Sequence, residues 1–223
     1  MPFFENWQKH IQEAEKQRFD KELSENLRNH LSSLSIESKI VSPGTPECIQ
    51  SISQYGRLNT LLGCVKVNGF HFDQIDVIGH TISTPYGGRV PKDDPRWRFC
   101  IFYSYLVDIP PGNLRKELNI SIDTIKKGLF NKETIDYEWK GGGLANRLNS
   151  DVELMMKIRN LKHTPPDGFI AKLEFPWMKV QSLKEDDFIK LWQLVHDPMD
   201  YPTRENIEIA DRLSKHIRTM IKS

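Results

Sequence analysis

The dipeptide Asn68-Gly69 stands between two β-rich runs, Leu61–Val67 and Phe70–Ser83, and commits the middle of the chain to an antiparallel hairpin. Both turn positions accept a positive φ, which two-residue hairpin turns demand. A third run, Trp97–Ile109, sets Trp97, Phe99, Ile101, Tyr103, Tyr105 and Val107 on one face, while Cys100, Phe102 and Leu106 make the other face apolar too. That is the pattern of a central strand covered on both sides. An antiparallel sheet therefore occupies the middle, and the flanking segments must cover it.

Those flanks carry the helical period. Phe4, Trp7, Ile11 and Ala14, then Phe19, Leu23, Leu27, Leu31 and Leu34, recur in steps of three and four and predict a long amphipathic helix, bent or divided near Arg18. Ser42-Pro43-Gly44-Thr45-Pro46 ends it as a turn-rich linker. This divides the chain into a helical segment over 1–41 and an α+β domain over 47–223, or leaves one domain with the helix packed on it. Further along, Thr134–Trp139 reads as a strand, and Leu144, Leu148, Val152, Met155, Ile158 and Leu161 as one helix stopped by Pro165-Pro166. Phe169–Val180 reads as another strand, with Pro176 marking an edge, bulge or end, so the three form a β-α-β unit. Pro110–Phe130 fits a strand start and a helix equally. Ser182 followed by Glu185 is a capping box that predicts a helix from Leu183 with Phe188, Leu191, Trp192 and Val195 as its stripe. Ile207, Ala210, Leu213, Ile217, Met220 and Ile221 predict a last amphipathic helix. The expected fold class is α+β: a mostly antiparallel central sheet, helices at both termini and one β-α-β unit.

Composition excludes several classes. Of 223 residues 38% are hydrophobic and 27% charged, too apolar for a disordered chain and enough to build a core without metals or disulfides. With 31 Lys+Arg against 30 Asp+Glu the net charge is +1, so nucleic acid or anionic lipid would need a local patch. Cys48, Cys64 and Cys100 are an odd set, spaced like neither a disulfide framework nor a zinc or redox motif, and read as free thiols in a reducing compartment. The charged start from Met1 to Gln17 has no signal-peptide stretch, and the longest apolar run, Phe99–Val107, is less than half of the roughly 20 residues of a spanning helix. The expected location is the cytoplasm, with no transmembrane segment.

Three local patterns could carry chemistry. Gly141, Gly142 and Gly143 lie where a strand turns into a helix, with Lys140 and Arg147 nearby, and such a junction can present backbone N–H groups to an anion. A tight turn explains the same glycines, and Asn146 replaces the last glycine of a dinucleotide fingerprint. His71, Asp73, Asp76 and His80 are potential acid/base groups or metal ligands within ten residues. On a regular strand His71 and Asp73 share one face and Asp76 and His80 the other, so polar pairing on the surface is the simpler reading and no metal is assigned. Arg89, Lys92, Arg96 and Arg98 surround Tyr86 and Trp97 in a proline-rich loop, but Asp93 and Asp94 dilute the charge and argue against nucleic acid.

No Gly-x-Ser-x-Gly or local cysteine signature of a nucleophile occurs, so no catalytic residue and no cofactor is named. The sequence favours a non-catalytic cytosolic binding or protein-interaction module, taking a protein partner or a second copy of itself through its amphipathic helices. The alternative is an enzyme acting on a phosphorylated or anionic small molecule, with Gly141–Gly143 and Arg147 holding the anion and His71, Asp73 or His80 in acid/base roles.

Overall fold

Leu23, Leu27 and Leu31 line one side of helix α1, residues 21–33, and all three are buried. The structure is a computed structural model that describes residues 21–42, 45, 47–48, 59–81, 99–108, 120–127, 133–160, 178–182, 188–194 and 201–222. The stripe over Phe4–Phe19 and the basic residues Arg89, Lys92, Arg96 and Arg98 lie outside these. After α1 come β1 (Ser38–Val41), β2 (Asn59–Val67), β3 (Gln74–Thr81), β4 (Phe99–Asp108), β5 (Ile120–Lys127) and β6 (Glu133–Gly141). The helices α2 (Gly143–Asn149) and α3 (Val152–Asn160), the strands β7 (Met178–Ser182) and β8 (Phe188–Leu194), and the helix α4 (Arg204–Lys222) complete the chain. The strands form one sheet in the order β1-β2-β3-β4-β8-β7-β5-β6, every neighbouring pair antiparallel. The fold is α+β.

The β-α-β unit takes a split form. β5 pairs antiparallel with both β6 and β7, so β6 and β7 run in the same direction with β5 inserted between them. Two other expectations are corrected. The segment Phe188–Leu194, expected as a helix, is the strand β8, because its backbone fills the gap between β4 and β7 and bonds to both. Tertiary pairing overrides the capping-box signal there. The hairpin joining β2 and β3 turns over residues 68–73 and not over two residues: Lys66 is paired with Gln74, the Val67 N–H donates to the Asp73 carbonyl, and Gly69 adopts φ +83°. His71 and Asp73 therefore belong to the turn and not to the strand.

The helices lie on one face of the sheet. Val65, Ile75, Val77, Tyr103, Tyr105 and Val107 from that face join Leu27 and Leu31 of α1, Leu148 of α2, Ile158 of α3 and Leu213 and Ile217 of α4 in one buried cluster. Leu154 and Ile158 seat α3, whereas Val152, expected in the same buried stripe, is 74% exposed. The stripe breaks because Asp151 starts a new helix: its carboxylate accepts the Leu154 N–H at 3.0 Å, as an N-cap does. At the start of α4, Thr203 and Asn206 cap one another, the Asn206 Oδ1 accepting from the Thr203 N–H at 2.9 Å and the Asn206 N–H donating to Thr203 Oγ1 at 3.2 Å.

The opposite face of β2, β3 and β4 is also buried, which bears out the two-sided pattern of the β4 sequence over Tyr103–Val107. Cys64, Asp76 and Ser104 stand side by side in register across the three strands, each with no exposed surface. Among the described helices none is long and apolar enough to cross a membrane.

Candidate functional site

Among the described residues two polar clusters stand out, one along α4 and one on the second face of the sheet. On α4, Asp211 and Arg218 face the hairpin turn at residues 68–73. Asp211 accepts from the His71 backbone N–H and from its ring Nδ1, the latter at 3.0 Å. Arg218 donates through Nε to the His71 carbonyl and through its second terminal nitrogen to both oxygens of Asp73, at 2.9 and 2.7 Å. Two residues singled out in the sequence are thus brought together, but each is held by a partner on α4 that ties the turn to the helix. His80 lies in β3, seven residues from the end of the turn in which His71 sits, and its side chain is outside the described set.

A second group lies on another side of α4, along Glu208, Arg212 and His216. Asp151, whose side chain is 7% exposed, accepts from Arg212 at 2.6 and 2.8 Å and from His216 Nε2 at 2.7 Å, in addition to capping α3. Burial pushes its carboxyl upward, but the hydrogen bonds from Arg212, His216 and the Leu154 N–H, with the Arg212 charge, outweigh that and hold it well below the ordinary carboxylate range. Arg212 also reaches Glu153, and Lys157 of α3 pairs with Glu208 of α4 at 2.7 Å. His30 of α1 donates to the Pro202 carbonyl at 2.9 Å and stacks on Tyr201. Each described imidazole is therefore engaged in a contact that joins two elements. No group of three or more His, Cys, Asp and Glu among the described residues could hold a metal ion.

The glycine run forms the junction foreseen for it. Gly141 ends β6 at φ +120°, Gly142 is the extended N-cap residue of α2, and Gly143 begins the helix. Arg147 sits in the last turn of this seven-residue helix and is exposed. It stands at the end away from the glycines, about 6 Å along the axis at 1.5 Å per residue. The positive φ at Gly141 accounts for one of the three glycines.

The second sheet face holds a set of residues that the sequence did not join. Gln74 donates through Nε2 to Asp76 at 2.6 Å and to Cys48 Sγ at 3.6 Å. Cys48 Sγ lies 2.9 Å from Cys64 Sγ, and Cys64 bonds in turn to the Val41 carbonyl at 3.1 Å. The direction of the chain follows from its ends: the Val41 carbonyl only accepts, so Cys64 donates to it and Cys48 donates to Cys64. The neighbouring Cys48 pushes the Cys64 thiol up, and burial and the Asp76 charge push the same way. The Ser104 hydroxyl, beside Asp76, has no hydrogen-bond partner among the described residues. The sequence signal for this pairing was slight: Cys64 lies on an apolar strand and Cys48 in a turn-rich segment, and sixteen residues separate them.

Large apolar side chains at the surface are few among the described residues: Val152 at 74% and Met156 at 52% on α3, and Ile125 at 39% on β5. Val152 and Met156 are one helical turn apart and form a single outward patch. Compared with known protein families, curated proteins and solved structures, the chain finds no match.

Proposed function

We propose that this chain is a cytosolic, non-catalytic interaction module that binds a second copy of itself through the outer face of α3. The observation that carries the reading is the Val152–Met156 patch, exposed on a helix whose other apolar residues are buried. Exposed apolar pairs of this kind are common at contact faces. Antiparallel packing of two copies of α3 would set their helix dipoles in opposition. The terminal helices are a weaker choice, since Leu23, Leu27 and Leu31 of α1 and Ile207, Leu213 and Ile217 of α4 are buried in the chain's own core.

Native mass spectrometry and sedimentation velocity test this together. Wild type is expected to be a dimer at tens of micromolar, and Val152→Asp with Met156→Asp to be a monomer with an unchanged melting temperature. A wild-type monomer over the whole range removes the reading. A co-purified phosphate-bearing small molecule, lost in Arg147→Ala, would put the alternative in its place, an enzyme of anionic substrates using Gly141–Gly143 and Arg147.

A further inference from the structure

We propose that Cys48 and Cys64 are a redox modification site, a dithiol that the fold holds ready to close into an intramolecular disulfide. Three observations place the two sulfurs together. The chain leaves β1 at Val41 and reverses in two successive turns, the Thr45 N–H and hydroxyl donating to the Ser42 carbonyl and the Cys48 N–H donating to the Thr45 carbonyl. Lys39 and Glu47, in an ion pair at 2.7 Å, clamp the same reversal from its outer side. Cys48 is thereby laid over Cys64, which β2 fixes opposite Val41 of β1 and Asp76 of β3, and Gln74 anchors the Cys48 sulfur from β3. The result is an Sγ–Sγ separation of 2.9 Å, with Val41, Cys48 and Cys64 forming a buried cluster of their own.

A pair held in this way has little orientational freedom left to lose on bond formation, which favours the disulfide over the same two thiols in an unfolded chain. The co-reactant is a small-molecule disulfide such as oxidised glutathione. A thiolate of Cys48 attacks one sulfur of the reagent, forming a mixed disulfide and releasing one glutathione thiolate. Cys64, giving up its proton to solvent, then attacks the Cys48 sulfur and expels the second. The protein loses two hydrogens and two electrons, and the reagent gains them as two thiols. Burial of both sulfurs makes this exchange slow and confines it to local openings that expose Cys48, so the equilibrium is what tests it.

The full chain is equilibrated from both the reduced and the oxidised side in glutathione buffers of graded ratio, once folded and once in concentrated urea, then acid-quenched, alkylated and mapped by peptide mass. The folded chain is expected to carry a Cys48–Cys64 cross-link and to need a reduced-to-oxidised glutathione ratio at least about 100-fold higher for half-reduction than the unfolded chain. By linkage, the oxidised chain then melts at a higher temperature than the reduced one. Half-reduction of the folded chain at the same or a lower ratio overturns the proposal. So does recovery of the two cysteines as separate glutathione adducts, or as cross-links to Cys100.

Discussion

Four hydrogen-bond donors converge on the Asp151 carboxylate: the Leu154 N–H, two nitrogens of Arg212 and the His216 ring. The group is both a helix cap and the link between α3 and α4. Asp151→Ala removes the cap and strands Arg212, and it should destabilise the protein by about 2–3 kcal/mol, read as a lower urea midpoint at unchanged slope. The pH dependence has a fixed sign. The folded carboxyl titrates below its unfolded value near 3.9, so the stabilisation is complete above about pH 5 and declines progressively as the pH falls below about 4 toward the folded value. The stability gap between wild type and Asp151→Asn should therefore shrink between pH 6 and pH 3, and a constant gap would assign the effect to packing. Neither Arg212 nor His216 is legible in the sequence as a partner, because both lie more than sixty residues from Asp151. What is legible at this scale is local, such as Gly69 at positive φ or the four-residue spacing of Leu23, Leu27 and Leu31.

Elements were read well where one period dominates a long run. β4 and α4 follow from alternation and from the 3.6-residue stripe, and the β2–β3 pair follows from its turn. β8 was not legible, since Phe188, Leu191, Trp192 and Val195 also satisfy a helical spacing, and only its two partner strands decide the matter. The division between α2 and α3 was missed because Val152 extends the apolar stripe in sequence but faces solvent in space. The edge strand β6 shows how an element is finished by side chains. Asn149, the last residue of α2, donates to the Trp139 carbonyl and accepts from the Trp139 N–H, both at 2.8 Å, and Asp136 accepts the Tyr137 N–H at 2.7 Å. These contacts occupy three of the outward backbone groups that would otherwise offer pairing to another chain. Asn149→Ala is expected to lower stability by about 1–2 kcal/mol and to speed aggregation of the folded protein in light scattering, whereas Asn146→Ala on the same helix should leave aggregation unchanged.

Across the whole molecule the sheet has a weak joint. Among the described residues β2 pairs with β3 over seven residue pairs and β4 with β8 over seven, whereas β5 meets β7 over Ile120 with Val180 and Ser121 with Lys179. The β5–β6 pair with α2 and α3 would be loosely attached if the ladder were its only connection. α4 supplies the second connection: Asp211 and Arg218 hold the β2–β3 turn, while Arg212, His216 and Glu208 hold α3 and its cap. Between these contacts Leu213, 1% exposed, and Ile217, fully buried, sit in the common cluster with residues from both ends of the sheet. A helix bonded to both sides of a narrow joint makes the two sides open together. Leu213→Ala should destabilise the protein by about 2–4 kcal/mol through the cavity it leaves. In native-state hydrogen exchange, the amides of β2 and β3 and those of β6 and α2 should lose protection by the same factor. Loss confined to the β5–β6 side would mean that the ladder and not the helix couples the two, and the joint would then be stronger than its two residue pairs imply.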